Sequence, residues 1–128
     1  MGLAEKRLVE KHRSETIPFY QKEFRKLGGE GLALEVDLDS FAVSESALLN
    51  LEQQGLERLL NAFREITSDP TGKTAVQQIK SIRLINQKSG KKAIAWKNKN
   101  LVISANWNKD ADGYFSVDEL VEEIEKGL

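Results

Sequence analysis

The sequence predicts an α+β fold in a single domain spanning 1–128, with a roughly four-stranded antiparallel or mixed sheet and helices mainly on one face. Three observations carry this. Segments at 31–39 and 100–107 alternate the side chains they turn to each face, the period-two pattern of a half-buried strand, and the short runs at 80–86 and 92–97, set off by turn residues, read as further strands. Segments at 16–27, 44–66 and 117–126 space their apolar residues three and four apart, as an amphipathic helix does. The chain has 128 residues, 40% apolar and 30% charged, which suits one stable core.

Taken in order, residues 3–13 are charged and rich in helix formers, with Ala4, Leu8 and His12 on one face. They form an N-terminal helix or a frayed arm. Pro18 suits a first helical turn, where its missing amide has no partner to lose. Ser14 or Thr16 then caps a second helix that carries Phe19, Tyr20, Phe24 and Leu27 and ends at Gly28 and Gly29. In 31–39, Leu32, Leu34, Val36 and Leu38 point one way, and Glu35, Asp37 and Asp39 the other. The stripe of 44–66 is Leu48, Leu51, Leu59, Phe63 and Ile66, widened by Leu49, Leu56 and Leu60. Gly55 lies on it and marks a break near Gln53 and Gln54 or a closely packed neighbour.

Asp69 and Pro70 open a short helix running to Ile79. Gly72-Lys73-Thr74 looks like the end of a phosphate loop, but Thr67 stands where that motif needs Gly and a helix precedes it. Nucleotide binding is rejected there. Three strands follow, and the short connections at Ser89-Gly90 and Asn98-Lys99 favour antiparallel hairpins. Ile82, Leu84, Ile94, Trp96, Leu101, Ile103 and Trp107 form the inward set. The last helix presents Val117, Leu120, Val121, Ile124 and Leu128.

Composition narrows the function classes. Lys plus Arg number 19 against 20 Asp plus Glu, so no global charge draws the chain to nucleic acid or acidic lipid. With no Cys there is no disulfide framework, thiolate nucleophile or zinc–cysteine site, and a reducing, cytoplasmic setting is expected. No apolar run reaches the roughly 20 residues that span a bilayer, so a soluble chain without membrane partners is expected. His12 is the only histidine and has no readable nucleophile partner. Glu35, Asp37 and Asp39 read as a solvated sheet face rather than an acid–base pair. The expectation is a non-catalytic domain, not an enzyme, that works as a protein-interaction module. The alternative is nucleic-acid contact through 88–99, where Lys88, Lys91, Lys92, Lys97 and Lys99 accompany Trp96 with no acid between them. A solvated hairpin whose lysines block edge-to-edge aggregation is the plainer explanation.

One stretch, 108–119, carries a recognisable chemical pattern: Asn-Lys-Asp-Ala-Asp-Gly-Tyr-Phe-Ser-Val-Asp-Glu. Asn108, Asp110 and Asp112 take alternate places, Gly113 follows where the chain must turn sharply, and Glu119 closes the segment. Calcium takes roughly six to eight oxygens, which alternating side chains and a terminal two-oxygen carboxylate supply. The stretch resembles an EF-hand calcium loop. That resemblance implies calcium ligation by Asn108, Asp110, Asp112, the Tyr114 carbonyl, Ser116 and Glu119. The loop occurs once, is entered from a strand and begins with Asn rather than Asp, so the implied affinity is weak, about 10⁻⁴ to 10⁻³ M. The same residues also spell a capped turn, because Ser116 and Glu119 form a capping box at the start of the last helix.

Overall fold

The computed structural model describes residues 2–88, 90–108 and 112–128. The first helix, α1 (Leu3–Lys11), runs through a π-turn (His12–Thr16) directly into α2 (Ile17–Gly28). Neither Ser14 nor Thr16 caps a new helix, contrary to expectation. Ser14 Oγ instead donates to the Glu10 carbonyl (2.8 Å). Pro18 falls in the first turn of α2 and contributes no amide, which suits the wider turn before it, where Ile17 N–H reaches back to His12 O. His12 is buried, and its Nε2 lies 2.7 Å from the Leu48 carbonyl.

The chain continues through β1 (Ala33–Val36), α3 (Leu38–Phe41) and α4 (Glu45–Asn50). A second π-turn (Leu51–Leu56) leads into α5 (Glu57–Ile66), followed by α6 (Pro70–Val76). Then come β2 (Ser81–Asn86), β3 (Ala93–Lys97), β4 (Asn100–Ala105) and α7 (Val117–Gly127). β1 is shorter than its alternation suggests because the Asp37 carboxylate accepts the Ser40 N–H (3.3 Å), turning Leu38 and Asp39 into a helical turn. Gly55 lies inside the second π-turn, where a Cβ would meet Trp107 Nε1 at 3.4 Å and Leu84 Cδ2 at 3.5 Å. Both expectations for that glycine hold together. The helix opened by Asp69 ends at Val76 rather than Ile79, and β4 ends at Ala105, leaving Trp107 buried in the turn beyond it.

The sheet is mixed and four-stranded, in the order β1-β2-β4-β3. β1 and β2 pair in parallel, as do β2 and β4, while β3 pairs with β4 antiparallel. The expectation of successive hairpins is corrected here: β2 and β3 lie on opposite sides of β4. The hairpin turn between β3 and β4, Asn98 (φ 50°) and Lys99 (φ 70°), has the left-handed backbone of a tight two-residue connection.

Register fixes the two faces. Leu34, Ile82, Leu101 and Trp96 form one inner row, and Val36, Leu84, Ile103 and Ile94 the next. These rows join Phe24, Phe41, Phe63 and the leucines of α4 and α5 in one hydrophobic core. Phe24 meets Phe63 edge-on at 5.1 Å, and Phe41 lies 5.2 Å from Trp107. The opposite face carries the row Glu35, Arg83, Val102 and Ala95, with Ile85, Ser104 and Ala93 beyond it. None of these residues is buried. No helix among the described residues is long and apolar enough to cross a membrane.

Candidate functional site

The loop into α7 is built from its cap outward. Ser116 Oγ accepts the Glu119 N–H (3.2 Å) and the Glu119 carboxylate accepts the Ser116 N–H (3.0 Å), the reciprocal capping box. Two cations from distant elements then hold the loop. Lys92, just before β3, donates from Nζ to the Tyr114 carbonyl (3.0 Å) and pairs with Glu119 (3.0 Å). The same ammonium lies 5.0 Å from the centre of the Phe115 ring. Arg58 of α5 donates to the Phe115 carbonyl (3.1 Å) and stacks over Tyr114 at 5.3 Å. The Ser116 amide first, and Lys92 second, hold the Glu119 carboxyl below the ordinary glutamate range.

Asn108 faces another direction. Its Oδ1 accepts from Ser44 Oγ (2.6 Å) and from Asn86 Nδ2 (3.4 Å). Asn86 is buried, donates from Nδ2 to the Ser40 carbonyl (3.1 Å), and accepts the Trp107 N–H on Oδ1 (2.8 Å). Asn106 accepts the Asn108 N–H (3.0 Å), and Asn50 Nδ2 donates to the Trp107 carbonyl (2.9 Å). The C-terminal ends of parallel strands are where open sheets commonly place ligands. Here the polar side chains at that end bond to one another and tie α3 and α4 to the segment after β4.

The six expected ligands are therefore distributed as follows. The Tyr114 carbonyl and the Glu119 carboxylate converge on one cation, the Lys92 ammonium. The Ser116 hydroxyl serves the helix cap, and Asn108 belongs to the polar network. Asp112 is exposed and lines a cleft of about 430 Å³ with Gly90, Lys91, Lys92, Asn106 and Gly113. Asp110 lies outside the described residues. Among the described residues no group of three or more His, Asp or Glu side chains is placed to share a metal ion.

Sequence reasoning missed Arg58, Asn86 and the role of Lys92. Arg58 lies 57 positions from the carbonyl it holds, and Lys92 lies 22 and 27 positions from its two partners, separations that periodicity does not report. Asn86, an amide ending an apolar strand, was the one legible hint. Of the basic segment, Lys88, Lys91, Lys97 and Lys99 are exposed, but the Trp96 indole packs inward on the Gly127 backbone with its Nε1 buried. Compared with protein-family models, curated proteins and solved structures, the chain finds no match in any of the three.

Proposed function

We propose that the chain is a non-catalytic protein-interaction domain that binds a partner on the open face of its sheet. The observation behind this reading is the outer row pattern: half-buried Ile85 and Val102 sit among small Ala93, Ala95 and Ser104, with Glu35, Arg83 and Lys97 around them. An apolar centre with small neighbours lets another backbone approach closely, and a charged rim fixes orientation. The test is a photo-crosslinking residue at Ala95, compared with one at exposed Glu65 on the helical side. Capture of a single partner from position 95 alone, lost on Val102→Glu, is the expected result. Equal capture from both positions, or capture indifferent to Val102→Glu, overturns it.

A second reading, calcium uptake by 108–119, is favoured by one observation: Tyr114 O and the Glu119 carboxylate already share a cation. Calcium there exchanges with the Lys92 ammonium, which adds competition to the missing first Asp and keeps affinity weak. Calorimetric calcium titration of the native chain is then saturable near millimolar, lost in Glu119→Gln and Asp110→Ala, and tightened in Lys92→Met. A native chain silent at millimolar calcium leaves a capped turn held by lysine and removes this reading.

A further inference from the structure

The two edges of the sheet are treated differently. At β1, Gln21 Oε1 accepts the Leu34 N–H (2.9 Å), while Gln21 Nε2 and Arg25 Nε donate to the Leu32 carbonyl (2.9 and 3.1 Å). Side chains of α2 thus occupy part of the backbone that another strand would need there. At the other edge, among the described residues, β3 pairs with β4 alone. The two-residue turn at Asn98 and Lys99 makes Lys97 and Asn100 a hydrogen-bonded pair. Alternation then directs the N–H and C=O groups of Ile94 and Trp96 away from β4, toward the free edge.

We infer that this β3 edge is a strand-addition site for an acidic, extended segment of a protein partner, an inference that rests on the protein-interaction reading. Backbone groups of Ile94 and Trp96 supply the hydrogen bonds of an added strand. Its inward side chains lie beside Ile94 and Trp96 and are apolar. Its outward side chains lie beside Ala93, Ala95 and Lys97, with exposed Lys91 and Lys99 near the strand ends, and are acidic. The occupant is thus a strand of alternating acidic and apolar residues. A second copy of this chain is a poor fit. Two β3 edges would bring like charges together, and at the acidic β1 edge Gln21 and Arg25 already hold the Leu34 N–H and the Leu32 carbonyl, which obstructs pairing there.

The probe is an end-blocked peptide of alternating Glu and Val, followed by amide NMR and calorimetry on the full chain. Expected are saturable binding, shifts of the Ile94 and Trp96 amides, and affinity weakened about tenfold by Lys91→Glu with Lys97→Glu, a small number of surface ion pairs reversed. The same peptide N-methylated at its Val residues, whose amides face β3 in this register, and tested on the unaltered chain, should not bind, nor should its Lys-for-Glu counterpart. No binding, shifts confined elsewhere, or equal binding of the N-methylated peptide overturns strand addition. So does an oligothymidylate that shifts the same amides while the peptide is silent. If the peptide fails while crosslinking from position 95 still depends on Val102, the open-face reading stands and only the edge proposal falls.

Discussion

At Gly72, two effects of an added methyl group oppose each other. In a helix, Gly→Ala gains about 1 kcal/mol from backbone entropy. A Cβ at Gly72, however, collides with the Ile66 carbonyl, which is backbone and cannot rotate aside. Overpacking costs roughly 1–3 kcal/mol, so Gly72→Ala is expected to lower the urea midpoint. Gly31→Ala, with nothing within 4 Å, should be neutral or raise it. Two ionisable residues make opposite pH predictions. Tyr20 donates to Glu57 (2.6 Å), and burial, then Glu57, raises its phenol above the ordinary value of about 10. The native state keeps that proton where the unfolded chain loses it. This stabilisation is complete below about pH 10 and is lost as pH rises toward the native value, so Tyr20→Phe should flatten the alkaline limb of a stability–pH curve. Glu119 is depressed, so its contribution is present above about pH 4.3 and lost as pH falls through its lower native value. Glu119→Gln should remove that part of the acid limb. At neutral pH it should change stability by at most about 1 kcal/mol, because Gln still completes the capping box and the Lys92 pair is exposed.

The β3–β4 turn gives the element-scale case. Lys99 holds φ at 70°, a conformation that a side chain with a Cβ resists and Gly adopts freely. Lys99→Gly is expected to stabilise the chain by about 1 kcal/mol, less the small exposed bond from Lys99 Nζ to Gln78, and to raise the thermal midpoint. That turn was legible in the sequence, as were the positions of all four strands, since alternation records which face a residue occupies. Alternation does not record which strand lies alongside. Ile82 and Leu84 would point inward equally well with β3 or β4 as neighbour, so the short 87–92 connection read as a hairpin. The capping box was legible because its partners are three residues apart. The clamp of Arg58 and Lys92 was not, because its partners meet only once α5, α7 and the sheet have packed.

On the scale of the whole molecule, Asn86 is where distant segments meet. Its side chain joins the end of β2 to Ser40 of α3, to Trp107 after β4, and to Asn108 at the head of the last loop. It is 5% exposed, so water cannot replace a lost partner. Asn86→Ala strands the Trp107 amide and the Ser40 carbonyl and should cost about 2–3 kcal/mol at any pH. Asn86→Asp is nearly the same shape but turns a donor into an acceptor facing the Ser40 and Asn108 oxygens. At neutral pH its charge is buried against two acceptors, and the loss should exceed that of Asn86→Ala. Those surroundings raise the introduced carboxyl above the unfolded value of about 3.9. The deficit of Asn86→Asp should therefore shrink as pH falls through that raised value, when the protonated group can donate again, while the Asn86→Ala deficit stays constant. Tryptophan fluorescence and far-ultraviolet circular dichroism should report one shared transition in both variants, because the network joins the helical crossover to the last strand. A fluorescence transition that precedes loss of helix would instead make Asn86 a local pin of the loop.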